Sequence, residues 1–105
     1  MKREIVTINF PFSDLSGAKR RPALVLADWG GDDIMLCQIT TKSNSDGLEI
    51  NLQASDFENG SLPVVSNIRP NKIFTAERKT ILSVTGKISE AKFSEVANQI
   101  VKLIS

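Results

Sequence analysis

The sequence predicts a mainly β fold, a small antiparallel barrel or sheet, with one C-terminal helix. Short apolar stretches recur between clusters of glycine, proline and polar residues, which is typical of β-strands. The last stretch instead repeats its apolar residues at helical spacing. The chain has 105 residues, of which 41% are hydrophobic and 24% charged, so we predict one domain over residues 1–105 with a single core.

Three strands are predicted in the first half of the chain. Residues 5–10 alternate apolar and polar side chains, as a half-buried strand does. Residues 22–27 and 34–39 are apolar on both faces, which predicts two interior strands joined by a glycine-containing turn. If these two strands pair, Arg21 before the first lies near Thr40 after the second.

The second half predicts four more strands. In chain order they cover residues 48–52, 64–68, 72–75 and 82–88. The polar residues 53–63 are predicted to be a loop or a short helical turn. Arg69, Pro70 and Asn71 are predicted to form a turn between two strands, because proline donates no hydrogen bond to a ladder.

The C-terminal residues 90–104 predict an amphipathic helix. Ser89 is a good N-cap, and Glu90 in the first turn suits the helix dipole. One helical face is apolar and is formed by Phe93, Val96, Ala97, Ile100, Val101 and Ile104. We expect this face either to close the core or to form an oligomer contact.

The absence of histidine excludes several kinds of enzyme. A Ser-His-Asp triad, a Cys-His pair and a histidine-rich metal site all need a residue that this chain lacks. The single cysteine, Cys37, lies in an apolar run and is predicted to be a buried core residue rather than a nucleophile.

Bulk charge and hydropathy carry little further information on partners. The formal net charge is +1, so any contact with nucleic acid must come from a local cluster of basic residues. No apolar run is long enough to span a bilayer, and the first residues lack the apolar block of a signal peptide. We therefore expect a cytoplasmic protein with no membrane contact.

One such cluster precedes the second predicted strand. Lys19, Arg20 and Arg21 are consecutive, and Pro22 fixes its own φ and holds Arg21 in an extended conformation at the predicted start of the strand. A guanidinium in this position can grip a phosphate with two hydrogen bonds. The pattern indicates an anion site for a phosphodiester, and the alternative is a solvated basic loop.

Four stretches of the chain resemble one family. They are FPFSDLSGAKRRPALVL at 10–26, CQIT at 37–40, SNIRPNKIFT at 66–75 and GKIS before the helix. In this order they resemble the MazF/PemK toxins of type II toxin-antitoxin systems. The resemblance implies an SH3-like small barrel (MazF/CcdB-like) that forms a homodimer, cleaves single-stranded RNA and so inhibits translation and growth. It also implies no metal or other cofactor and a cognate antitoxin as partner.

The family's two principal catalytic positions fall on Arg21 and Thr40. RNA carries its own nucleophile, the 2′-hydroxyl, so the enzyme must hold the phosphate, stabilise developing charge and move protons. Arg21 can provide the first two functions, and Thr40 can donate a hydrogen bond to the phosphate or position the 2′-hydroxyl. Such an attack leaves a 2′,3′-cyclic phosphate and a 5′-hydroxyl.

The general base and the RNA contacts are less defined by the sequence. The acidic residues that some family members carry near the arginine are missing here, and Asp14 is the nearest carboxylate. Either Asp14 is the base, or Arg21 and Thr40 act alone, or activity is low. Candidate RNA-binding residues are Lys19, Arg20, Thr41, Lys42, Ser43 and Arg69. For Arg69 a structural salt bridge is the alternative.

Two other functions remain open at this point. CcdB-like gyrase poisons resemble this fold, form dimers and act by binding a protein, largely through the C-terminal end of the chain. Here that end reads as an ordinary amphipathic helix, which argues against the role. The third hypothesis is a non-catalytic barrel that binds RNA or a protein partner.

Overall fold

The strands form one curled antiparallel sheet, a half-barrel, with a helix at the C-terminus. The computed structural model describes residues 1–11, 18–42 and 47–105. In chain order the elements are β1 (Glu4–Pro11), β2 (Ala18–Asp28), β3 (Asp33–Thr40), β4 (Ile50–Leu52), β5 (Phe57–Gly60), β6 (Ser66–Glu77), β7 (Ile81–Ile88) and α1 (Glu90–Ile104). The sheet order is β4-β6-β3-β2-β1-β7-β5, so β1 and β2 lie in its middle.

The predicted pairing of the two interior strands is confirmed. β2 and β3 are antiparallel neighbours, with Ala23 opposite Gln38 at one end and Asp28 opposite Ile34 at the other. Asp28 also accepts a hydrogen bond from the backbone N–H of Gly30 at 2.9 Å, which stabilises the turn. The hairpin therefore brings the Arg21 end of β2 towards the Thr40 end of β3.

Both faces of the central strands are buried. Successive residues of a strand point to opposite sides of the sheet, and here the residues on each side belong to a core cluster of their own. On one side Ile5, Leu24 and Cys37 belong to a core that includes Val96 of the helix. A second cluster takes the alternate positions and contains Val6, Ile8, Ala23, Val25, Ile34 and Leu36. Burial raises the pKa of the Cys37 thiol to about 12, so the predicted core role of this residue is confirmed.

The predicted turn at 69–71 is wrong, since β6 runs without a break through it. Cys37 of β3 pairs with Ile73, whereas the next residue, Gln38, pairs with Arg69. Residues 70–72 thus bulge out of the ladder. Pro70 is accommodated there because no ladder hydrogen bond is required of it.

The segment 53–63 is only partly a loop. It contains the predicted short helical turn, at Ala54–Asp56, but also strand β5, which the sequence did not predict. β5 pairs with β7, and Gly60 lies opposite Gly86. A Cβ on Gly86 would lie 2.8 Å from the carbonyl oxygen of Asn59, so the two strands approach more closely than a larger residue allows. The strand predicted at 48–52 is shorter than expected and covers Ile50–Leu52.

The C-terminal helix is confirmed with its predicted bounds. The Ser89 hydroxyl oxygen accepts a hydrogen bond from the backbone N–H of Lys92 at 3.1 Å, as an N-cap does. Val96 is fully buried, whereas Val101 and Ile104 are exposed. The helix therefore closes the core through Val96, with Phe93 and Ile100 packed against it, and leaves Val101 and Ile104 in solvent. Among the described residues, no helix is long and apolar enough to cross a membrane.

Candidate active site

Arg21 and Thr40 lie in the same cavity. The cavity has a volume of about 230 Å³ and is lined by Arg20, Arg21, Pro22, Ile39, Thr40 and Thr41. Arg21 and Thr40 are half-buried, and Arg20 and Thr41 are exposed. Two residues that are distant in sequence are thus brought together by the hairpin, as the sequence analysis predicted.

The backbone explains why this cavity opens at Arg21. The prediction that Pro22 begins its strand is wrong, because β2 starts at Ala18 and Arg21 pairs with Ile8 of β1. On the other side, the ladder with β3 ends at Ala23. Pro22 has no N–H with which to extend that ladder. Arg21 is therefore held by β1 while the space towards β3 stays open.

The hydroxyl of Thr40 has a defined orientation. Its oxygen accepts a hydrogen bond from the backbone N–H of Lys42 at 3.1 Å. The amide of Asn67 donates to the carbonyl oxygen of Lys42 at 3.3 Å, and Asn51 donates to Asn67 at 3.3 Å. Since the Thr40 oxygen acts as acceptor in this turn, its hydroxyl hydrogen is available to donate to a ligand in the cavity.

A second cavity, of about 270 Å³, adjoins the first. It shares Arg20, Arg21, Pro22 and Thr41 with its neighbour, and we call the two together the Arg21 groove. Its other walls come from Thr7 of β1, Thr85 of β7, residues 62–64 and Ser66. Sequence reasoning missed these walls, because no chemical motif marks them and the strands that carry them are far from Arg21 in sequence.

The electrostatic character of the groove comes from its two arginines. Within the described part of the chain, no carboxylate lines either cavity, whereas five hydroxyl side chains do. Nor do residues 1–11, 18–42 and 47–105 contain a group of three or more cysteine, aspartate or glutamate side chains that could hold a metal ion. The arrangement can bind an anion and donate hydrogen bonds to it.

Of the other candidate residues that the structure describes, Lys19 and Lys42 are chain neighbours of residues that line the groove. Lys42 is exposed in the turn after β3, and Lys19 lies in β2 directly before Arg20. Arg69 lines neither cavity and is only 8% exposed, opposite Gln38 on the neighbouring strand. This burial favours its structural alternative over RNA contact. Asp14 and Ser43 lie outside the described residues.

A second arginine site lies at the other end of the hairpin. Arg78 donates to both carboxylate oxygens of Asp28, at 2.9 Å and 2.5 Å, and to the carbonyl oxygen of Gly31 at 2.9 Å. The pKa of Asp28 is lowered, first by the hydrogen bonds from Arg78 and then by that from Gly30. Arg78 therefore stabilises the fold at the turn end of the hairpin.

Solved structures with the same fold include MazF toxins and endoribonucleases. MazF in a MazE-MazF complex from Deinococcus radiodurans is 19% identical, with a TM-score of 0.77 over 98% of this chain and 94% of that one. An endoribonuclease in complex with its cognate antitoxin from a mycobacterial species is 13% identical, with a TM-score of 0.76 over 99% and 93%. The Mycobacterium tuberculosis toxin MazF-mt6 is 16% identical, with a TM-score of 0.71 over 94% and 95%.

The match to a protein-family model is more specific than these structural similarities. The model of the PemK-like, MazF-like toxins of type II toxin-antitoxin systems matches residues 1–104. The chain therefore belongs to this toxin family, and the resemblance found in the sequence is confirmed. A sequence comparison with curated proteins found no match.

Proposed function

We propose that this protein is a metal-independent endoribonuclease that cleaves single-stranded RNA at a short sequence. As a toxin it would act on mRNA in the cytoplasm and thereby inhibit translation and growth. The observation that supports this most directly is the shared cavity of Arg21 and Thr40. The cavity combines a cation with a hydroxyl donor. Cleavage of a phosphodiester uses both groups, because the cation can bind the phosphate and stabilise its developing charge while the hydroxyl donates a hydrogen bond to it.

In the proposed reaction, Arg21 and Thr40 hold the scissile phosphate. The guanidinium of Arg21 binds the non-bridging oxygens and stabilises the charge that grows on them. The Thr40 hydroxyl donates a hydrogen bond to the same phosphate. The 2′-oxygen forms a bond to phosphorus while the bond from phosphorus to the 5′-oxygen breaks, which leaves a 2′,3′-cyclic phosphate and a 5′-hydroxyl.

Two proton transfers accompany this reaction. The 2′-hydroxyl must lose its proton as it attacks, and the departing 5′-oxygen must gain one. Asp14 is the proposed general base, and the alternative is that Arg21 and Thr40 act without a carboxylate. Replacement of Asp14 by asparagine distinguishes these mechanisms, because it changes the pH dependence of cleavage only if Asp14 accepts the proton.

Basic residues near the groove are proposed to bind the RNA backbone. These are Lys19, Arg20 and Lys42, with Thr41 and Ser43 as hydrogen-bonding neighbours. Arg20 and Thr41 line the groove and Lys42 is exposed beside it, which supports this assignment. For Arg69 we propose a structural role instead, since it is buried.

A cognate antitoxin and a second copy of the chain are the proposed protein partners. Family membership supports the antitoxin, and two of the similar structures are complexes of a toxin with one. The homodimer is supported by apolar side chains that stay exposed in the single chain, among them Leu82, Val84 and Ile104.

Incubation with a long single-stranded RNA in EDTA tests the proposal. We expect cleavage at a recurring short sequence with cyclic phosphates at the product ends, and cleavage at least about 100-fold slower by Arg21→Ala. Lys79→Ala is the matched control, because Lys79 is an exposed cation that lies outside the groove. Intact RNA after incubation with folded wild-type protein would contradict the proposal and favour gyrase binding or a non-catalytic role.

A further inference from the structure

The turn after Thr40 is held by a side chain that lies outside the Arg21 groove. β3 pairs with β6 as far as Thr40, which lies opposite Asn67. Beyond this pair, the side-chain amide of Asn67 donates to the backbone carbonyl oxygen of Lys42 at 3.3 Å. Asn67 is half-buried and lines neither cavity of the groove. It therefore holds the chain past the end of the ladder without itself belonging to the cavity walls.

Lys42 in turn holds the side chain of Thr40. Its backbone N–H donates to the Thr40 hydroxyl oxygen at 3.1 Å. Threonine is β-branched and has few favourable χ1 rotamers, and a hydrogen bond from the N–H two residues further on favours one of them. The N–H and the carbonyl of Lys42 belong to one residue. A side chain that holds this carbonyl thus also limits where the N–H, and with it the Thr40 hydroxyl, can lie.

The amide of Asn67 has a single orientation in this network. The carbonyl oxygen of Lys42 can only accept, so Asn67 presents its nitrogen there and its oxygen to Asn51, whose amide donates to it at 3.3 Å. Asn51 lies opposite Asn67 on β4, and its own backbone carbonyl accepts a hydrogen bond from Nζ of Lys92 in α1 at 3.1 Å. Asn67 is therefore supported from β4 while it holds the end of β3.

We infer that Asn67 is a positioning residue for the Thr40 hydroxyl. It acts through Lys42, whose N–H keeps the Thr40 oxygen as an acceptor and leaves the hydroxyl hydrogen to the phosphate. Orientation matters here, because a hydrogen bond weakens steeply when donor and acceptor are misaligned. The inference rests on the proposed function and adds to it the residue that keeps Thr40 aimed into the groove.

The test compares Asn67→Ala in two backgrounds. In the wild type it should lower the single-turnover cleavage rate at saturating protein by about 3- to 10-fold, the contribution of one hydrogen bond. Affinity for a non-cleavable RNA should change by less than about twofold, since Asn67 lies outside both cavities. In the Thr40→Val background there is no hydroxyl left to position, so the further loss of rate should stay below about twofold.

Asn98→Ala is the matched control. It removes the same amide from an exposed position on α1 that lies outside the groove, and it should cleave as the wild type does. If Asn67→Ala fails to fold, Asn51→Ala at an exposed position serves as the second variant, because it removes the donor that supports Asn67. The inference is overturned if the folded variant cleaves as fast as the wild type. It is equally overturned if the loss is the same in both backgrounds, which would indicate a direct contact of Asn67 with RNA.

Failure of the proposed function is separable from failure of the positioning role. If the wild type cleaves no RNA, the proposed function fails, and the role of Asn67 is then measured on the protein alone. Three-bond NMR couplings about the Cα–Cβ bond of Thr40 report its rotamer. Couplings of one rotamer in the wild type and averaged couplings in Asn67→Ala support the inference. Averaged couplings in the wild type, or the same couplings in both proteins, overturn it.

Discussion

The two ends of the β2–β3 hairpin use arginine for different purposes. At the turn end, Arg78 is held by both oxygens of Asp28 and by the carbonyl oxygen of Gly31. At the open end, Arg20 and Arg21 line a groove whose described walls contain no carboxylate. The difference shows that the neighbours of an arginine, rather than the arginine itself, determine whether it stabilises the fold or can bind a ligand.

Hydrogen-bond capacity explains this difference. A guanidinium has five N–H donors in a fixed arrangement, and a carboxylate takes two of them side by side. The Asp28 and Gly31 oxygens occupy the donors of Arg78 that point to the protein. Arg21 is half-buried and lines the same cavity as the Thr40 hydroxyl, an arrangement of donors that suits a phosphate. Each end can be tested separately.

The largest expected effect comes from separate replacement of Arg21 and Arg78. Arg21→Ala should lower the cleavage rate by about 10²- to 10³-fold, because it removes the main cation at the phosphate. Arg78→Ala should lower the urea midpoint of unfolding more than Arg21→Ala does, since Asp28 loses its partner. Single-turnover cleavage and urea unfolding of both variants measure this. Loss of cleavage in folded Arg78→Ala would contradict the separation of the two ends.

Removal of the Thr40 hydroxyl tests how much this group contributes to cleavage beside Arg21. Thr40→Val should lower the cleavage rate by about 10- to 100-fold, the loss expected for one hydrogen bond to a charged group. Thr40→Ser keeps the hydroxyl and should retain most activity. Single-turnover rates at saturating protein give the result. Loss of activity in Thr40→Ser together with retained activity in Thr40→Val would mean that the methyl group, and not the hydroxyl, is what cleavage requires.

A smaller effect is expected in the salt dependence of RNA binding. If Arg20 contacts a phosphate, Arg20→Ala should reduce the slope of log affinity against log salt concentration by about 0.7. Lys79→Ala should leave the slope unchanged, because Lys79 is exposed next to Glu77 and outside the groove. Titration of a non-cleavable RNA at several salt concentrations measures both slopes. An unchanged slope for Arg20→Ala would exclude the contact.

The smallest effect concerns the turn end and is a loss of stability in acid. Arg78 holds the pKa of Asp28 below its ordinary value of 3.8, so the ionised carboxylate stabilises the folded state above that pH. This stabilisation is lost as the pH falls below about 4 and Asp28 takes up a proton. Asp28→Asn should therefore be less stable than the wild type at neutral pH, and the difference should shrink in acid. A difference that stays constant down to pH 2 would contradict this linkage.

Local patterns in the sequence predicted the elements that depend on local interactions. The helix Glu90–Ile104 was recognised from its apolar spacing and from Ser89, and both signals lie within one segment. The β2–β3 hairpin was recognised from two apolar runs around one turn, which also placed Arg21 near Thr40. The central cavity of the candidate site was thus predictable before its walls were known.

Elements that depend on distant partners were missed. β5 has no alternation of its own and exists through its pairing with β7, where Gly60 and Gly86 permit close approach. The sequence predicts a turn where the structure has the bulge at 70–72. It does not reveal that β6 pairs with β3 both before and after these three residues. The wall at 62–64 carries no motif and belongs to the site only because these residues line the same cavity as Arg21.

The sheet order also bears on how the chain is made. β1 is synthesised before the other six strands of the sheet and lies between β2 and β7, so one of its two edges stays unpaired until β7 is made. Val96, which completes the first core, is made later still. A nascent chain that lacks these segments leaves apolar surface and a strand edge open. Thr85 also belongs to β7, so the second half of the groove is assembled only after β7 is made, and a product truncated before β7 lacks that wall.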